Sequence, residues 1–257
     1  MGVRKDVFCT KRLCNARNVH TRRKIYFETN ENLDNIFKNI DFAGKDVLSV
    51  LASSDQLFKL SSYDVKSIDT FDKNKLTYYY YYFRIWTIKY MKELYPTGLV
   101  LNDYDWIENL LLFVNPKTAG ERDALFFWKK LLDKRVDFSK LFIIDKDKLL
   151  NYSKSDDSSK LPLKIGFSNV DLFKKCEFDK KYDIAVISNI LEWTSGDARF
   201  IDRLASNLSK LLKDNGLVLC SRMIYDDKIY EVSLEWAMKD FFEFHDIDNS
   251  RYVYVKK

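Results

Sequence analysis

Acidic residues stand just past three short apolar runs, and that spacing suits nucleoside recognition. The runs are "DVLSVLASSD" (46–55), "VKSIDTFD" (65–72) and "KIGFSNVDL" (164–172). Each reads as a strand that empties into a polar loop. Asp72 follows Asp55 by seventeen residues, at the end of the second run. An acid there can accept hydrogen bonds from both hydroxyls of a ribose. Asp171, with Val170 before it, closes the third run, where a carboxylate can accept from an exocyclic amino group of adenine. The loop Leu51, Ala52, Ser53, Ser54 and Asp55 has the outline of a strand, a tight turn and a helix start. It contains no glycine, the residue that lets a backbone take positive φ and approach a ligand closely. Asp55 can contact a ligand, cap the following helix, or do both. A fourth run, "YDIAVISNILEW" (182–193), ends on Ser188 and Asn189. Asn189 offers both donor and acceptor groups, and Glu192 could serve as a base if its pKa were raised. The plainer alternative for this pair is a helix cap and a surface acid.

The elements that must position these residues alternate between strand and helix patterns. "FETNENLDNIFKNI" (27–40) predicts a helix, with Thr29 or Asn30 as its cap and Leu33, Ile36, Phe37 and Ile40 at helical spacing. Its start, Thr29, Asn30 and Glu31, could fold over a bound ligand. "KNKLTYYYYYFRIWTIKYMKEL" (73–94) predicts a long helix. Five consecutive tyrosines, 78 to 82, spread around the whole circumference of such a helix and so read as packing surface. Residues 95 to 160 differ in texture and predict a helical insertion. "DARFIDRLASNLSKLLKDNG" (197–216) is amphipathic, with Gly216 placed as a C-cap. "FFEFHDI" and "RYVYVKK" predict an antiparallel pair. Together these give an α/β fold: a mostly parallel sheet, helices on both faces, an antiparallel last strand and the helical insertion. Ligands of such sheets sit at the carboxyl ends of the strands. The expected organisation is a basic arm and cap helix over 1–44, then a Rossmann-like cofactor-binding domain over 45–257 with its insertion at about 95–160.

On these motifs the chain resembles the class I S-adenosylmethionine-dependent methyltransferases, over about residues 45 to 92 and 160 to 257. "VLSVLASSD" stands at the glycine loop, "IDTFD" at the ribose acid, "NVDL" at the adenine contact, "YDIAVISNILEW" and "LLKDNGLVLC" at the fourth and fifth strands. The family's three glycine positions carry Leu51, Ser53 and Asp55, and the acid ending its first strand is replaced by Ser49. The segment is similar also to the betaine-lipid-synthase type of aminocarboxypropyl transferases. There the glycine falls on Ser54 and is followed by an aspartate and a polar residue, here Asp55 and Gln56. The resemblance implies S-adenosyl-L-methionine as cofactor, held by Leu51 to Asp55, Asp72, Val170, Asp171 and Ser188. It implies a transferase acting on a small-molecule or lipid acceptor, with Asn189 and Glu192 beside the reacting group. Transfer of an aminocarboxypropyl group, or a degenerate module that binds without catalysis, are the alternatives.

The totals narrow the field further. Among 257 residues, hydrophobic types make up 46% and charged types 32%, a globular composition. Only 7 glycines and 3 prolines disfavour linker-rich or disordered readings. No apolar run reaches the roughly 18 residues of a membrane span. Four cysteines at unhelpful spacing and two histidines argue against a metal site, and scattered thiols suit a reduced, cytoplasmic setting. A net charge of +5 is mild, and the fourth-strand motif lacks the Asn-Pro-Pro-aromatic pattern used on base amines, which disfavours nucleic acid. The basic N-terminus, with Arg4, Lys5, Lys11, Arg12, Arg17, Arg22, Arg23 and Lys24, could meet a membrane surface or an anionic substrate.

Overall fold

The structure is a computed structural model that describes residues 25–26, 31–94, 103–138, 141–143, 165–174, 178–188, 190, 198–221, 238–248 and 251–257. The elements run β1 (Ile25–Tyr26), α1 (Leu33–Phe37), β2 (Asp46–Val50), α2 (Asp55–Leu60), β3 (Ser67–Phe71), α3 (Leu76–Leu94), α4 (Asp103–Phe113) and α5 (Ala119–Asp133). They continue with β4 (Phe142–Ile143), β5 (Gly166–Ser168), β6 (Tyr182–Ser188), α6 (Ala198–Leu211), β7 (Leu212–Ser221), β8 (Phe242–Asp248) and β9 (Arg251–Lys256). The chain divides into two compact units, one of Met1–Glu28 with Asn74–Leu161 and one of Thr29–Lys73 with Pro162–Lys257.

The second unit holds a seven-stranded sheet in the order β5-β3-β2-β6-β7-β9-β8. Its first five strands pair in parallel, and β9 runs antiparallel to both β7 and β8. This is a Rossmann-like methyltransferase fold. The strand order reverses at β2, which has β3 on one side and β6 on the other. All five residues of β2 are buried, as expected for a strand covered on both faces. Side chains alternate between the faces with period two. Leu48, Val50, Ala185 and Ile187 join one core cluster; Val47, Ile184 and Val186 join the other. The first cluster takes the stripe Ile201, Leu204, Ala205, Leu208 and Leu211 of α6. The second takes Ile36 and Phe37 of α1.

Two local expectations shift. Asn32 caps α1, its side chain accepting from the Asn35 N–H at 3.1 Å; Thr29 and Asn30 lie outside the described residues. Gly216 lies within β7, and the left-handed residue is Asn215, with φ 59°. A Cβ at Gly216 would meet the Lys213 carbonyl oxygen at 2.8 Å, so close backbone approach is what glycine serves there.

The first unit packs α3 with α4 and α5, and pairs β1 with β4 in parallel. Tyr79, Tyr80, Tyr81 and Tyr82 are buried, and Tyr78 is half-buried. The Tyr79 and Phe127 rings stack at 4.0 Å, and Trp128 Nε1 donates to the Tyr79 carbonyl at 3.0 Å. The tyrosine run is therefore core. Trp106, Phe127 and Trp128 of the insertion are buried too, whereas Phe113 and Phe126 are exposed.

The amino end of the large sheet carries a charged network. Asp46 opens β2, and its carboxylate accepts from Ser67 Oγ at 2.7 Å, Lys66 Nζ at 3.1 Å and Lys213 Nζ at 3.1 Å. Lys213 also pairs with Asp183 at 2.8 Å, and Lys180 with Asp69 at 2.8 Å. Tyr182 donates its hydroxyl to Asp69 at 3.1 Å. The Ser67 hydrogen bond, with Lys213, Lys66 and Lys180, holds the Asp46 carboxyl well below the usual carboxylate range against the opposing effect of burial. Burial works against the charged form of Asp183, yet Lys213 and the Asp46 N–H lower its pKa as well.

Candidate functional site

At the other end of the sheet, the chain leaves β2 through a turn that glycine would normally make. The Leu51 N–H still bonds the Phe71 carbonyl at 2.9 Å, which continues the ladder one residue past the strand. Then Ala52 takes φ 41° and Ser54 takes φ 77°. Such a conformation costs a residue with a Cβ about 1–2 kcal/mol. Two of them within three residues concentrate backbone strain in this turn. The Ser54 N–H closes the turn on the Leu51 carbonyl at 2.7 Å. The left-handed positions are thus 52 and 54, one place beyond Leu51 and Ser53 of the family-wide glycine alignment.

Asp72 anchors this turn from the neighbouring strand: its Oδ2 accepts from the Ala52 N–H at 3.1 Å. The same residue is tied to the third loop. Its N–H donates to the Ser168 carbonyl at 3.2 Å, and its carbonyl accepts from Asn169 Nδ2 at 2.7 Å. Val170 packs at the edge of the first core cluster. Asp171 closes its own turn, with Oδ1 accepting from the Phe173 N–H at 3.1 Å. Asn207 of α6 holds that loop by donating to the Leu172 and Lys174 carbonyls, both at 2.7 Å. The structure therefore brings the loop 51–55, Asp72 and the 168–171 turn together across β2, β3 and β5.

Ser53, Ser54 and Asp55 are all buried. Ser53 Oγ donates to Asp55 Oδ2 at 2.6 Å. Asp55 is the first residue of α2, and the cap position belongs to Ser54, whose side chain makes no capping bond. Among the described residues, Ser54 Oγ is buried with no hydrogen-bond partner. Leaving such a group unsatisfied costs about 1–3 kcal/mol.

A second polar group forms where β6 ends. Ser188 has φ 56° and is buried, and it hydrogen-bonds Glu31 Oε1 through its hydroxyl. Gln56 Nε2 donates to Glu31 Oε2 at 3.1 Å and to Ser188 Oγ at 3.4 Å. Glu31 precedes α1, and α1 is gripped from behind. The buried Arg251 of β9 donates through Nη1 to the carbonyls of Asn35 at 3.2 Å and Ile36 at 3.1 Å, and to that of Lys38. A cation on those carbonyls suits the end of a helix. Burial chiefly, and the Glu31 charge beside it, push the Cys220 thiol above its ordinary range. Asn189 and Glu192 lie outside the described residues. Sequence reasoning placed Glu31 only as one of three residues that could fold over a ligand, and gave Gln56 no role of its own. A lone acid upstream of a short helix gives no pattern to read. No group of three or more potential metal ligands occurs among the described residues. No helix among them is long and apolar enough to cross a membrane.

No protein-family model matches the chain, and no curated protein is similar to it. Solved structures similar to it include a TehB-like SAM-dependent methyltransferase from Corynebacterium glutamicum. That likeness has 9% identity and a TM-score of 0.46, over 90% of this chain and 90% of that one. The N-methyltransferase NodS from Bradyrhizobium japonicum, in complex with S-adenosyl-L-homocysteine, is similar at 8% identity and a TM-score of 0.41. It covers 87% of this chain and 83% of its own. A methyltransferase from Pyrococcus furiosus is similar at 9% identity and a TM-score of 0.44, over 86% and 79%. The fold assignment rests on the strand order and directions above, not on these likenesses.

Proposed function

We propose that this chain is an S-adenosyl-L-methionine-dependent transferase, and that it methylates a small-molecule or lipid acceptor. The observation that carries the reading is the turn after β2. Ala52 and Ser54 adopt glycine-like backbone angles at the carboxyl end of the sheet, and Asp72 holds the Ala52 N–H from the end of the next strand. Ligands of open parallel sheets bind there, where the strand order reverses. The orphaned Ser54 hydroxyl fits a site that expects a polar ligand atom. In this reading Leu51 to Asp55 line the cofactor, Asp72 accepts from the ribose hydroxyls, and Val170 and Asp171 meet the adenine. Ser188 lies towards the methionine end, with Asn189 and Glu192 beside the acceptor. The cofactor, when bound, supplies an activated carbon on a sulfonium leaving group. The protein's part is to align the acceptor with that carbon and to keep water away.

Aminocarboxypropyl transfer from the same cofactor is the second reading, and one observation favours it. The aminocarboxypropyl-transferase alignment puts its glycine at Ser54, and Ser54 is the residue with φ 77°. Calorimetric titration with S-adenosyl-L-methionine, with Asp72→Ala as control, tests the shared core of both readings. Micromolar binding that disappears in the variant supports it, and an unresponsive wild type overturns it. Turnover with candidate acceptors then separates the two: S-adenosyl-L-homocysteine for methyl transfer, methylthioadenosine for the other.

A further inference from the structure

The first unit exposes apolar side chains that its own core does not claim. Among the described residues five large hydrophobic side chains are exposed, and three of them, Leu112, Phe113 and Phe126, belong to the hairpin of α4 and α5. Leu112 is 74% exposed and Phe126 66%. A single exposed leucine is ordinary, whereas a group of such residues in one hairpin marks a contact surface. Core packing does not account for them. Trp106, Ile107, Leu110 and Leu111 already form the buried stripe of α4, and Ala124, Phe127, Trp128 and Leu131 form that of α5. The turn between the helices is fixed by a capping box. Thr118 Oγ accepts from the Glu121 N–H at 3.1 Å, and Glu121 Oε2 accepts from the N–H groups of Lys117 at 2.7 Å and Thr118 at 2.8 Å.

Cations surround this group. Arg122, Lys129 and Lys130 stand four before, three after and four after Phe126, the neighbouring positions on one side of a helix. Lys130 Nζ lies 5.9 Å from the centre of the Phe126 ring. Lys117 lies in the turn, and Lys134 and Arg135 follow α5. From 112 to 135 there are six cations to three acids, and one of those acids, Glu121, is taken up by the cap. Apolar side chains set among ammonium and guanidinium groups suit one partner above others. An anionic bilayer offers phosphates to the cations and acyl chains to the apolar groups. A second copy meeting the same surface would set like charges against each other. We propose that the α4–α5 hairpin docks on an anionic lipid membrane, with Leu112, Phe113 and Phe126 as its apolar contacts and Arg122, Lys129 and Lys130 on the lipid phosphates. The docking stands apart from the cofactor reading above, and it places the membrane contact on the hairpin instead of the basic N-terminus.

Co-sedimentation of the full chain with vesicles tests this, using phosphatidylcholine alone or with about 30% phosphatidylserine. The wild type is expected to sediment with the anionic vesicles and not with the neutral ones, and to be released as salt rises. Two double variants divide the surface: Leu112→Ser with Phe126→Ser, and Arg122→Glu with Lys129→Glu. All four side chains are exposed, so the fold should survive, and either variant decides the matter if the other fails to fold. Each is expected to weaken partition onto anionic vesicles by about tenfold or more. A wild type that stays in solution with anionic vesicles overturns the proposal. So does binding that ignores both hairpin variants and disappears with Arg22→Glu and Arg23→Glu, which would assign it to the N-terminus. Self-association that the hairpin variants abolish, without vesicle binding, would assign the surface to a second copy and overturn it too.

Discussion

The two ends of one sheet treat their polar groups in opposite ways. At the amino end, Asp46, Asp69 and Asp183 each meet a lysine, and Asp46 and Asp69 take a hydroxyl as well. Strands β2, β3, β6 and β7 are clamped there by side chains that satisfy one another. At the carboxyl end, Ser54 Oγ and Gln56 Oε1 are buried without partners among the described residues, and Ala52, Ser54 and Ser188 hold left-handed backbone. One end spends its polar groups on stability. The other leaves two buried polar atoms unmet and holds strained backbone, as the binding site proposed above would require. The contrast favours the carboxyl end over the ion-pair network as the place to look for chemistry, because the network's carboxylates are already paired.

Substitutions at the two ends should separate binding from stability. The largest effect expected is on binding: Asp72→Ala lowers S-adenosyl-L-methionine affinity about 100-fold, as calorimetry reads it, because the proposed ribose contact and the anchor of Ala52 go together. Asp46→Asn does the reverse. It lowers unfolding free energy by about 2 kcal/mol in urea titration, discounted because its lysine partners are largely exposed, and leaves cofactor affinity alone. A matched loss of affinity in that variant would break the comparison. The same pair of proteins differs with pH. Asp46 and Asp183 have folded pKa values below their unfolded ones, so the stability they contribute is present above about pH 4 and is lost as pH falls below it. Urea midpoints at falling pH should therefore drop more steeply for the wild type than for Asp46→Asn. The smallest effect sharpens the contrast most. Ser54→Gly relieves a left-handed residue and removes the orphaned hydroxyl, so it should raise stability by about 1 kcal/mol and weaken cofactor binding. A variant that is both more stable and a better binder would refute the role given to Ser54.

Much of this was legible in the sequence because strands in a parallel sheet announce themselves. "DVLSV" and "YDIAVIS" are apolar runs that end in polar residues, and the acids past them fell where the ladder stops. Asp72 and the 51–55 loop were singled out for that reason, and the structure brings them together. Backbone angles were harder. The glycine rule pointed to 51, 53 and 55, whereas the chain bends at 52 and 54 with alanine and serine, and nothing in residue type alone says so. Glu31 was harder still. It meets Gln56 and Ser188 across 25 and 157 residues of chain, a closeness set by how α1 docks and not by any local pattern. Gly216 was misplaced because a glycine after an amphipathic run looks like a cap, while here it lets β7 pass close to its own carbonyls.

The grip of Arg251 on α1 spans 216 residues. It also ties assembly of the site to the order of synthesis. Strand β9 belongs between β7 and β8, so until it emerges from the ribosome β7 has an open edge, able to pair with another chain. Helix α1, with Glu31 just before it, is therefore made long before the Arg251 that fastens it. Contacts of such separation slow folding. A nascent chain of this protein would therefore make the 51–55 turn well before Arg251 is present to fasten α1.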